Sequence, residues 1–127
     1  MANYLLDSTI IIDCLRGKKG RDELLKKLVL EGSTLGCCSV NVVEVYTGMK
    51  DKEKEKTTYL LNSFEYYNIT REIATLAGEY RRNYQKKGKI LSVSDVLIAA
   101  VAISHNLILI TDNRKHYPMP EIKFFKL

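Results

Sequence analysis

The sequence is short of residues that divide or cross-link a chain. Its 127 residues include 3 Cys and 2 Pro, and no proline-rich linker, repeat or low-complexity tract separates one part from another. An odd number of cysteines that includes the adjacent Cys37 and Cys38 makes a poor disulfide framework, and no Cys/His spacing typical of a metal site is present. We therefore expect a single domain over residues 1–127 with all cysteines reduced.

Long hydrophobic runs are also missing. The longest unbroken apolar stretch, Val96 to Ile103, is far shorter than the roughly 18 residues of a membrane-spanning helix. No basic leader precedes the apolar residues 4–6, and the acids Asp7 and Asp13 interrupt the apolar segment after them, so the pattern of a secretory signal is absent. These features predict a cytoplasmic protein that does not enter a membrane.

Several familiar catalytic motifs are absent as well. The chain has no nucleophile elbow, no P-loop and no glycine-rich dinucleotide fingerprint, and neither of its 2 His is placed as a catalytic base. Positive charge predominates, because 20 Lys and Arg stand against 15 Asp and Glu for a net charge of +5. Such a balance favours an anionic partner, such as a nucleic acid.

Apolar patterning predicts strands that alternate with helices. The predicted strands cover residues 4–6, 34–38, 66–69 and 107–111, with 123–127 as a further edge strand. The predicted helices cover 8–15, 21–31, a segment capped by Ser39 or Asn41, 57–63, 70–88 and 96–103. A capping box of Ser92 and Asp95 precedes the last of them. The charged run at 50–56 is predicted as a loop or solvated helix end. This order predicts an α/β sandwich whose central sheet is mainly parallel.

Four acids fall where such a fold gathers side chains. Asp7 and Asp112 follow predicted strands, while Glu44 and Asp95 lie in the first turns of predicted helices. Ligands of parallel sheets bind beyond the carboxyl ends of the strands, and right-handed crossovers bring helix starts to the same edge. Taken singly, Asp7 and Asp95 are typical of helix-capping acids, which the helix dipole favours.

Together, however, the acids have a different meaning. Clustered carboxylates repel one another unless cations neutralise them, and all-oxygen ligands suit Mg²⁺ or Mn²⁺. A pair of such ions about 3.5–4 Å apart can activate a water for in-line attack on a phosphodiester. The acids therefore predict a metal-dependent enzyme that hydrolyses phosphodiester bonds.

Four segments resemble the successive motifs of PIN-domain ribonucleases, in particular the toxins of the VapC type. They are LLDSTIIIDCL at 5–15, SVNVVEVYTG at 39–48, SVSDVLIAAVAISHN at 92–106 and LILITDNRKHYP at 107–118. The resemblance implies a PIN-like three-layer sandwich with helices on both faces of the sheet. It also implies a Mg²⁺- or Mn²⁺-dependent endoribonuclease that cleaves a structured RNA, such as tRNA or rRNA, and is held inactive by an antitoxin.

The resemblance assigns the metal ligands residue by residue. Asp7, Glu44 and Asp95 match the first three acidic positions of the family. The fourth position is open, because family members often carry Thr-x-Asp or Thr-x-Asn there, which points to Asn113, whereas the acid of this sequence is Asp112. We take Asp112 as the first choice and Asn113 as its rival or supporting partner.

Two hydroxyls match small polar positions beside the acids. Ser8 and Thr111 could orient the carboxylates or a metal-bound water, although Ser8 is equally suited to cap a helix and Thr111 to end a strand.

Basic residues predict where RNA phosphates would lie. The candidates are Lys18, Lys19, Arg21, Arg81, Arg82, Lys86, Lys87 and Lys89. The alternative for all of them is solvated surface charge, favoured for the residues from Arg81 to Lys89 by a helix carboxyl terminus.

The apolar helical segments 42–46 and 73–84 predict a homodimer, since a body of this size has little core to bury them in.

Three other functions are compatible with parts of the pattern. One is a nuclease of the same fold that acts in RNA processing or on DNA. Another is a receiver-like signalling domain that binds Mg²⁺ without catalysis, which would leave Glu44 and Asp95 unexplained. The last is a metal-free protein-binding module, which predicts no effect of divalent ions.

Overall fold

A parallel β-sheet forms the centre of the protein, whose computed structural model describes residues 2–127. Its strands are β1 (Asn3–Leu6), β2 (Thr34–Cys38), β3 (Glu65–Tyr67), β4 (Ile108–Ile110) and β5 (Lys123–Phe124). They lie in the order β3-β2-β1-β4-β5, and every neighbouring pair is parallel. The predicted parallel sheet is confirmed, and its order places β1 at the centre, between β2 and β4.

Helices cover the two faces of this sheet. They are α1 (Ser8–Leu15), α2 (Arg21–Leu30), α3 (Ser39–Gly48), α4 (Lys54–Asn62), α5 (Arg71–Lys86) and α6 (Val93–Ser104), with short 3-10 turns at Asp51–Glu53 and Arg114–His116. One buried cluster joins the sheet to α5 and α6, and the other joins it to α1, α2, α3 and α4. The predicted three-layer α/β sandwich is therefore confirmed.

Alternation along the strands supplies both clusters. Leu5 of β1 packs on the side of α5 and α6, while its neighbours Tyr4 and Leu6 pack on the opposite side. Leu109 and Ile110 of β4 divide in the same way. Because successive side chains of a strand point to opposite faces, a sheet that is buried on both sides requires nearly unbroken apolar strands.

Helix caps decide where the site-bearing helices begin. Thr70 accepts a hydrogen bond from the amide of Ile73 at 3.2 Å, and Ser92 accepts one from the amide of Asp95 at 3.0 Å, so both predicted caps are confirmed. The predicted cap of α3 is wrong. The capping position is Cys38, and the Asn41 side chain accepts from the Cys38 amide at 2.8 Å.

Several predicted boundaries differ from the observed ones. Helix α4 begins at Lys54 rather than residue 57, because the Glu53 carboxylate accepts from the Lys50 amide at 2.7 Å and supports the turn that leads into the helix. Strands β3 and β5 end at Tyr67 and Phe124, before the predicted ends. Among residues 2–127, no helix has the length and apolarity needed to cross a bilayer.

Candidate active site

The predicted acids gather at the edge of the sheet where β1 and β4 end. Asp7 directly follows β1 and occupies the capping position of α1, and Asp112 follows β4, which pairs with β1. Glu44 reaches this edge from α3, where it accepts a hydrogen bond from the Ser8 hydroxyl at 2.6 Å. Asp95, in the first turn of α6, is near enough for its charge to raise the pKa of Asp7.

Asp7 is the buried acid of the group, with 7% of its surface exposed. Its carboxylate accepts hydrogen bonds from the Ser8 amide at 2.8 Å and from the Thr111 hydroxyl at 2.6 Å. Burial nevertheless raises the pKa of Asp7, because the desolvation of the charged form outweighs these two bonds. Within residues 2–127, no Lys, Arg or His forms an ion pair with this carboxylate. A buried negative charge without a counterion is what a cation site requires.

A hydrogen-bonded network orders the polar side chains around Asp7. The fully buried Asn41 amide donates to the Leu6 carbonyl and to the Ser8 hydroxyl, at 3.0 Å each. Ser8 in turn donates to Glu44. The sequence predicted Asn41 only as a helix cap, although an amide inside the apolar stretch SVNVVEV was the available signal for a buried polar role.

His116 contacts the outer side of the site. Its Nδ1 lies 3.6 Å from Oδ2 of Asp95, whose side chain is 22% exposed. The sequence did not place His116 as a catalytic base, and in the structure the imidazole contacts an acid of the site.

Tyr117 is the site residue that the sequence did not single out. Its side chain is 2% exposed, and its hydroxyl lacks a hydrogen-bond partner within the described residues. Burial raises the pKa of Tyr117, and the charges of Asp7, Asp95 and Glu44 raise it further. This hydroxyl therefore lies within electrostatic reach of all three carboxylates.

Asp112 has different neighbours from the other acids. Its Oδ1 accepts from the Arg21 guanidinium at 2.6 Å, and its Oδ2 lies 4.0 Å from the Lys19 ammonium. The left-handed backbone of Lys19, with φ 56, and of the following Gly20, with φ 67, turns the chain so that both cations face Asp112. Lys19 and Arg21 were predicted to contact RNA; in the structure both lie beside Asp112, Lys19 is also 3.9 Å from Asp13, and their contact with RNA stays a prediction.

The rival residue Asn113 is held by its backbone. Its amide donates to the Thr111 hydroxyl at 2.9 Å, and this hydroxyl donates to Asp7. The fourth position of the site thus offers two residues. The Asp112 carboxylate is paired with cations, and the backbone N–H of Asn113 is bound by the Thr111 hydroxyl.

If the site cleaves RNA, as the resemblance to PIN-domain ribonucleases implies, Asp112→Asn should lower cleavage about tenfold and Asn113→Ala should lower it less. The reason is that only Asp112 brings charge to the edge of β4. Initial rates on one RNA substrate at saturating Mg²⁺ compare the two variants, with Arg21→Gln as a control for loss of the ion pair alone. The reverse ranking would move the fourth position to Asn113.

Comparison with known proteins agrees with this arrangement. The family model described as the PIN domain matches residues 4–122. The chain belongs to the PIN-domain family. The four motifs that resemble PIN-domain ribonucleases of the VapC type all lie within the matched range, and that resemblance is confirmed.

Individual relatives cover nearly all of this PIN domain. Ribonuclease VapC19 of Mycobacterium tuberculosis is 30% identical over 115 residues, which is 91% of this chain and 92% of the relative. Ribonuclease VapC10 of the same organism is 34% identical over 117 residues, which is 92% of this chain and 87% of the relative. The structure of VapBC2 from Rickettsia felis, bound to a DNA fragment from its promoter, superposes with a TM-score of 0.83 at 26% identity and 97% coverage of both chains.

The residues of this PIN domain fit a divalent cation by their chemistry. Asp7, Glu44 and Asp95 offer carboxylate oxygens, the donors that Mg²⁺ and Mn²⁺ prefer, around a buried charge that has no counterion in the described chain. The side chains do not form a finished ligand group, since within residues 2–127 no three His, Cys, Asp or Glu stand in metal-binding geometry. Glu44 is turned to Ser8 and Asp95 to His116.

Proposed function

We propose that this PIN domain is a divalent-metal-dependent endoribonuclease that acts as the toxin of a toxin–antitoxin pair. The observation that carries the proposal is the buried, counterion-free Asp7 flanked by Glu44 and Asp95, in a chain that aligns over 91% of its length with a protein named a ribonuclease. The substrate class is a structured RNA, tRNA or rRNA. The cofactor is Mg²⁺ or Mn²⁺, held by Asp7, Glu44 and Asp95, with Asp112 or Asn113 at the fourth position.

The side chains divide the chemical work among them. Asp7, Glu44 and Asp95 would bind the cation, which would supply Lewis acidity towards the phosphodiester and activate a water. The Thr111 and Ser8 hydroxyls donate to Asp7 and Glu44 at 2.6 Å each, so they fix the orientation of two of the three carboxylates. Holding these ligands in place before the substrate arrives lowers the cost of assembling the site.

RNA contact is supported by a basic pocket that the sequence only partly predicted. It has a volume of about 620 Å³ and lies where α1 and α3 end, lined by Leu15, Arg16, Lys18, Lys50, Lys52, Glu53 and Lys56. Arg16 donates to the Gly48 carbonyl and Lys56 to the Leu15 carbonyl, so these two cations also cap helix ends. We assign the pocket to phosphates of the RNA strand, because five cations face one acid there.

Arg81, Arg82 and Lys86 were also predicted to contact RNA, and they lie outside this pocket. Arg81 donates to the Leu91 carbonyl at 2.9 Å, which gives it a structural role between α5 and α6. Contact of Arg82 or Lys86 with RNA stays a prediction.

We expect Lys18→Glu combined with Lys52→Glu to raise the dissociation constant for RNA about tenfold and to reduce its salt dependence. Fluorescence anisotropy in an Asp95→Asn background, which we expect not to cleave, measures binding alone. The matched control is Lys27→Glu with Lys126→Glu, which changes the net charge equally outside the pocket. Equal weakening by both pairs would contradict a phosphate site in the pocket.

An antitoxin partner is supported by an apolar groove beside α1. The groove has a volume of about 830 Å³ and is lined mainly from α2 and α4, with Val29, Leu30 and Tyr59 at its rim. These three residues are 54%, 79% and 81% exposed, and apolar residues grouped in one exposed patch are typical of an interaction surface. The Rickettsia felis structure bears the name of a VapBC complex, and we assign the groove to an apolar segment of such a partner.

A homodimer and cytoplasmic residence stay predictions. Of the apolar residues that suggested a dimer, Val45, Ile73 and Ala77 lie in this chain's own core, and Tyr46, Leu76, Tyr80 and Tyr84 pack against it. Val43 of α3 remains 65% exposed and offers the surface for a second copy.

The alternative functions are less well supported. A receiver-like signalling domain does not fit a chain that belongs to the PIN-domain family. A nuclease of RNA processing would share the whole site, and a gene for a small antitoxin beside this one would favour the toxin.

Digestion of total RNA with the purified protein tests the proposed activity. New RNA ends that need Mg²⁺ or Mn²⁺ and disappear with EDTA support it, and mapping of these ends identifies the substrate. Intact RNA under all of these conditions, with a protein shown to be folded and free of antitoxin, would contradict it.

A further inference from the structure

The Tyr117 hydroxyl is a buried hydrogen-bond donor without an acceptor. The side chain is 2% exposed, and the oxygen has no hydrogen-bond partner in the part of the chain that the structure describes. Buried polar groups are paired in the great majority of cases, because leaving one unpaired lowers stability. An orphan of this kind needs an explanation.

Packing explains the aromatic ring but not the hydroxyl. Tyr117 belongs to the buried cluster that also contains Val96 of α6, Leu109 of β4 and Met119. Phenylalanine would fill the same space and would bring no unpaired polar atom. The unpaired hydroxyl therefore lowers the stability of the metal-free protein. Its presence indicates that it serves a purpose other than packing.

The acids of the site lie within electrostatic reach of the hydroxyl. The charges of Asp7, Asp95 and Glu44 all raise the pKa of Tyr117, and Asp7 has the largest effect of the three. In return, the nearby hydroxyl lowers the pKa of Asp7. The two side chains are thus close enough for a hydrogen-bonding effect on both pKa values, although the hydroxyl makes no hydrogen bond of good geometry.

Asp7 already has two donors and has room for a third. The Ser8 amide donates to Oδ1 and the Thr111 hydroxyl to Oδ2, and each carboxylate oxygen can accept more than one bond. A third donor would favour the ionised carboxylate, which is the form that binds a cation.

We propose, on the basis of the function proposed above, that Tyr117 is a positioning residue whose hydroxyl donates to the Asp7 carboxylate when a divalent cation binds there. The small rearrangement that brings Asp7 to the cation aligns the two groups. The hydroxyl then becomes a third donor to Asp7, beside the Ser8 amide and the Thr111 hydroxyl. The cost of an unpaired donor in the metal-free protein is offset in the loaded one.

Tyr117→Phe tests this proposal because it removes the hydroxyl and keeps the ring. We expect the variant to unfold in EDTA at a temperature equal to or a few degrees above that of the wild type, since it loses an unpaired donor. We expect its dissociation constant for Mn²⁺, measured by titration calorimetry, to rise about tenfold or more. The shift of the unfolding temperature on adding MnCl₂ should shrink accordingly.

Tyr80→Phe is the matched control. Tyr80 lies on α5, and its hydroxyl donates to the Glu121 carboxylate at 2.6 Å. Removing this hydroxyl breaks a hydrogen bond outside the site. We expect this variant to keep the affinity of the wild type for Mn²⁺.

The outcomes separate the inference from the function on which it depends. If the wild type binds Mn²⁺ and Tyr117→Phe binds it equally well, the positioning role of Tyr117 is wrong and the metal site stands. If Tyr117→Phe unfolds at a lower temperature in EDTA and binds Mn²⁺ normally, the hydroxyl is merely structural, which also overturns the proposal. If the wild type binds no divalent cation, the metal site and the role of Tyr117 are both wrong.

Discussion

Replacing Asp7 with asparagine is expected to abolish RNA cleavage and, at the same time, to stabilise the metal-free protein. The substitution removes a charge from the centre of the site at nearly constant shape, so cleavage should fall by more than ~100-fold, beyond the loss expected for a residue that only supports a ligand. Stability should rise because burial raises the pKa of Asp7, so that the folded protein carries an unfavourable charge at neutral pH.

The pH dependence of this stabilisation has a definite sign. A carboxyl whose pKa is raised by folding contributes fully below its unfolded pKa, and that contribution is lost as the pH rises through the folded pKa. The variant should therefore exceed the wild type in unfolding temperature at pH 7 in EDTA. The difference should vanish below about pH 4, where the Asp7 carboxyl is protonated in both states.

Two further substitutions and one control complete the experiment. Glu44→Gln and Asp95→Asn should lose cleavage as Asp7→Asn does, since each removes one carboxylate from the same edge of the sheet. Asp51→Asn, in the exposed 3-10 turn after α3, should cleave like the wild type. Wild-type turnover by Asp7→Asn, Glu44→Gln or Asp95→Asn, after exclusion of contaminating nuclease, would remove that acid from the site.

Placing charge in the apolar groove is expected to separate the protein from its antitoxin. Val29→Asp with Leu30→Asp puts two carboxylates on exposed apolar positions of α2 that line or rim the groove. Because a buried charge without a partner is costly, we expect the dissociation constant for the antitoxin to rise by more than ~100-fold. RNA cleavage should continue in the presence of an amount of antitoxin that silences the wild type.

The matched control for the groove is Ile90→Asp. Ile90 is 74% exposed and lies between α5 and α6, outside the groove, so the same type of change should leave antitoxin binding intact. Normal inhibition of Val29→Asp with Leu30→Asp would show that the antitoxin binds another face. The antitoxin and each variant should be mixed at known concentrations, and both the dissociation constant of the complex and the rate of RNA cleavage should be measured.

Local patterns in the sequence were enough to find most of the elements and to place Asp7 and Asp95 at the starts of helices. Thr70 and Ser92 cap helices as their spacing predicts, and the strand before Asp7 ends where the apolar run ends. Signals of this kind are short in range, because a cap or a period of alternation involves residues within one or two turns of each other. The cap of α3 escaped them because the Asn41 side chain bonds back to the Cys38 amide.

The chain's own residues thus carried the α/β class, the parallel sheet and the likeness to PIN domains, all of which follow from periodicity, caps and motif order. The strand order, the pairing of Asp112 with Arg21 at 91 positions' separation and the orphaned hydroxyl of Tyr117 became visible only in the folded molecule. The physical reason is that charge pairing and burial depend on distances in space. Packing sets those distances between segments that are remote along the chain.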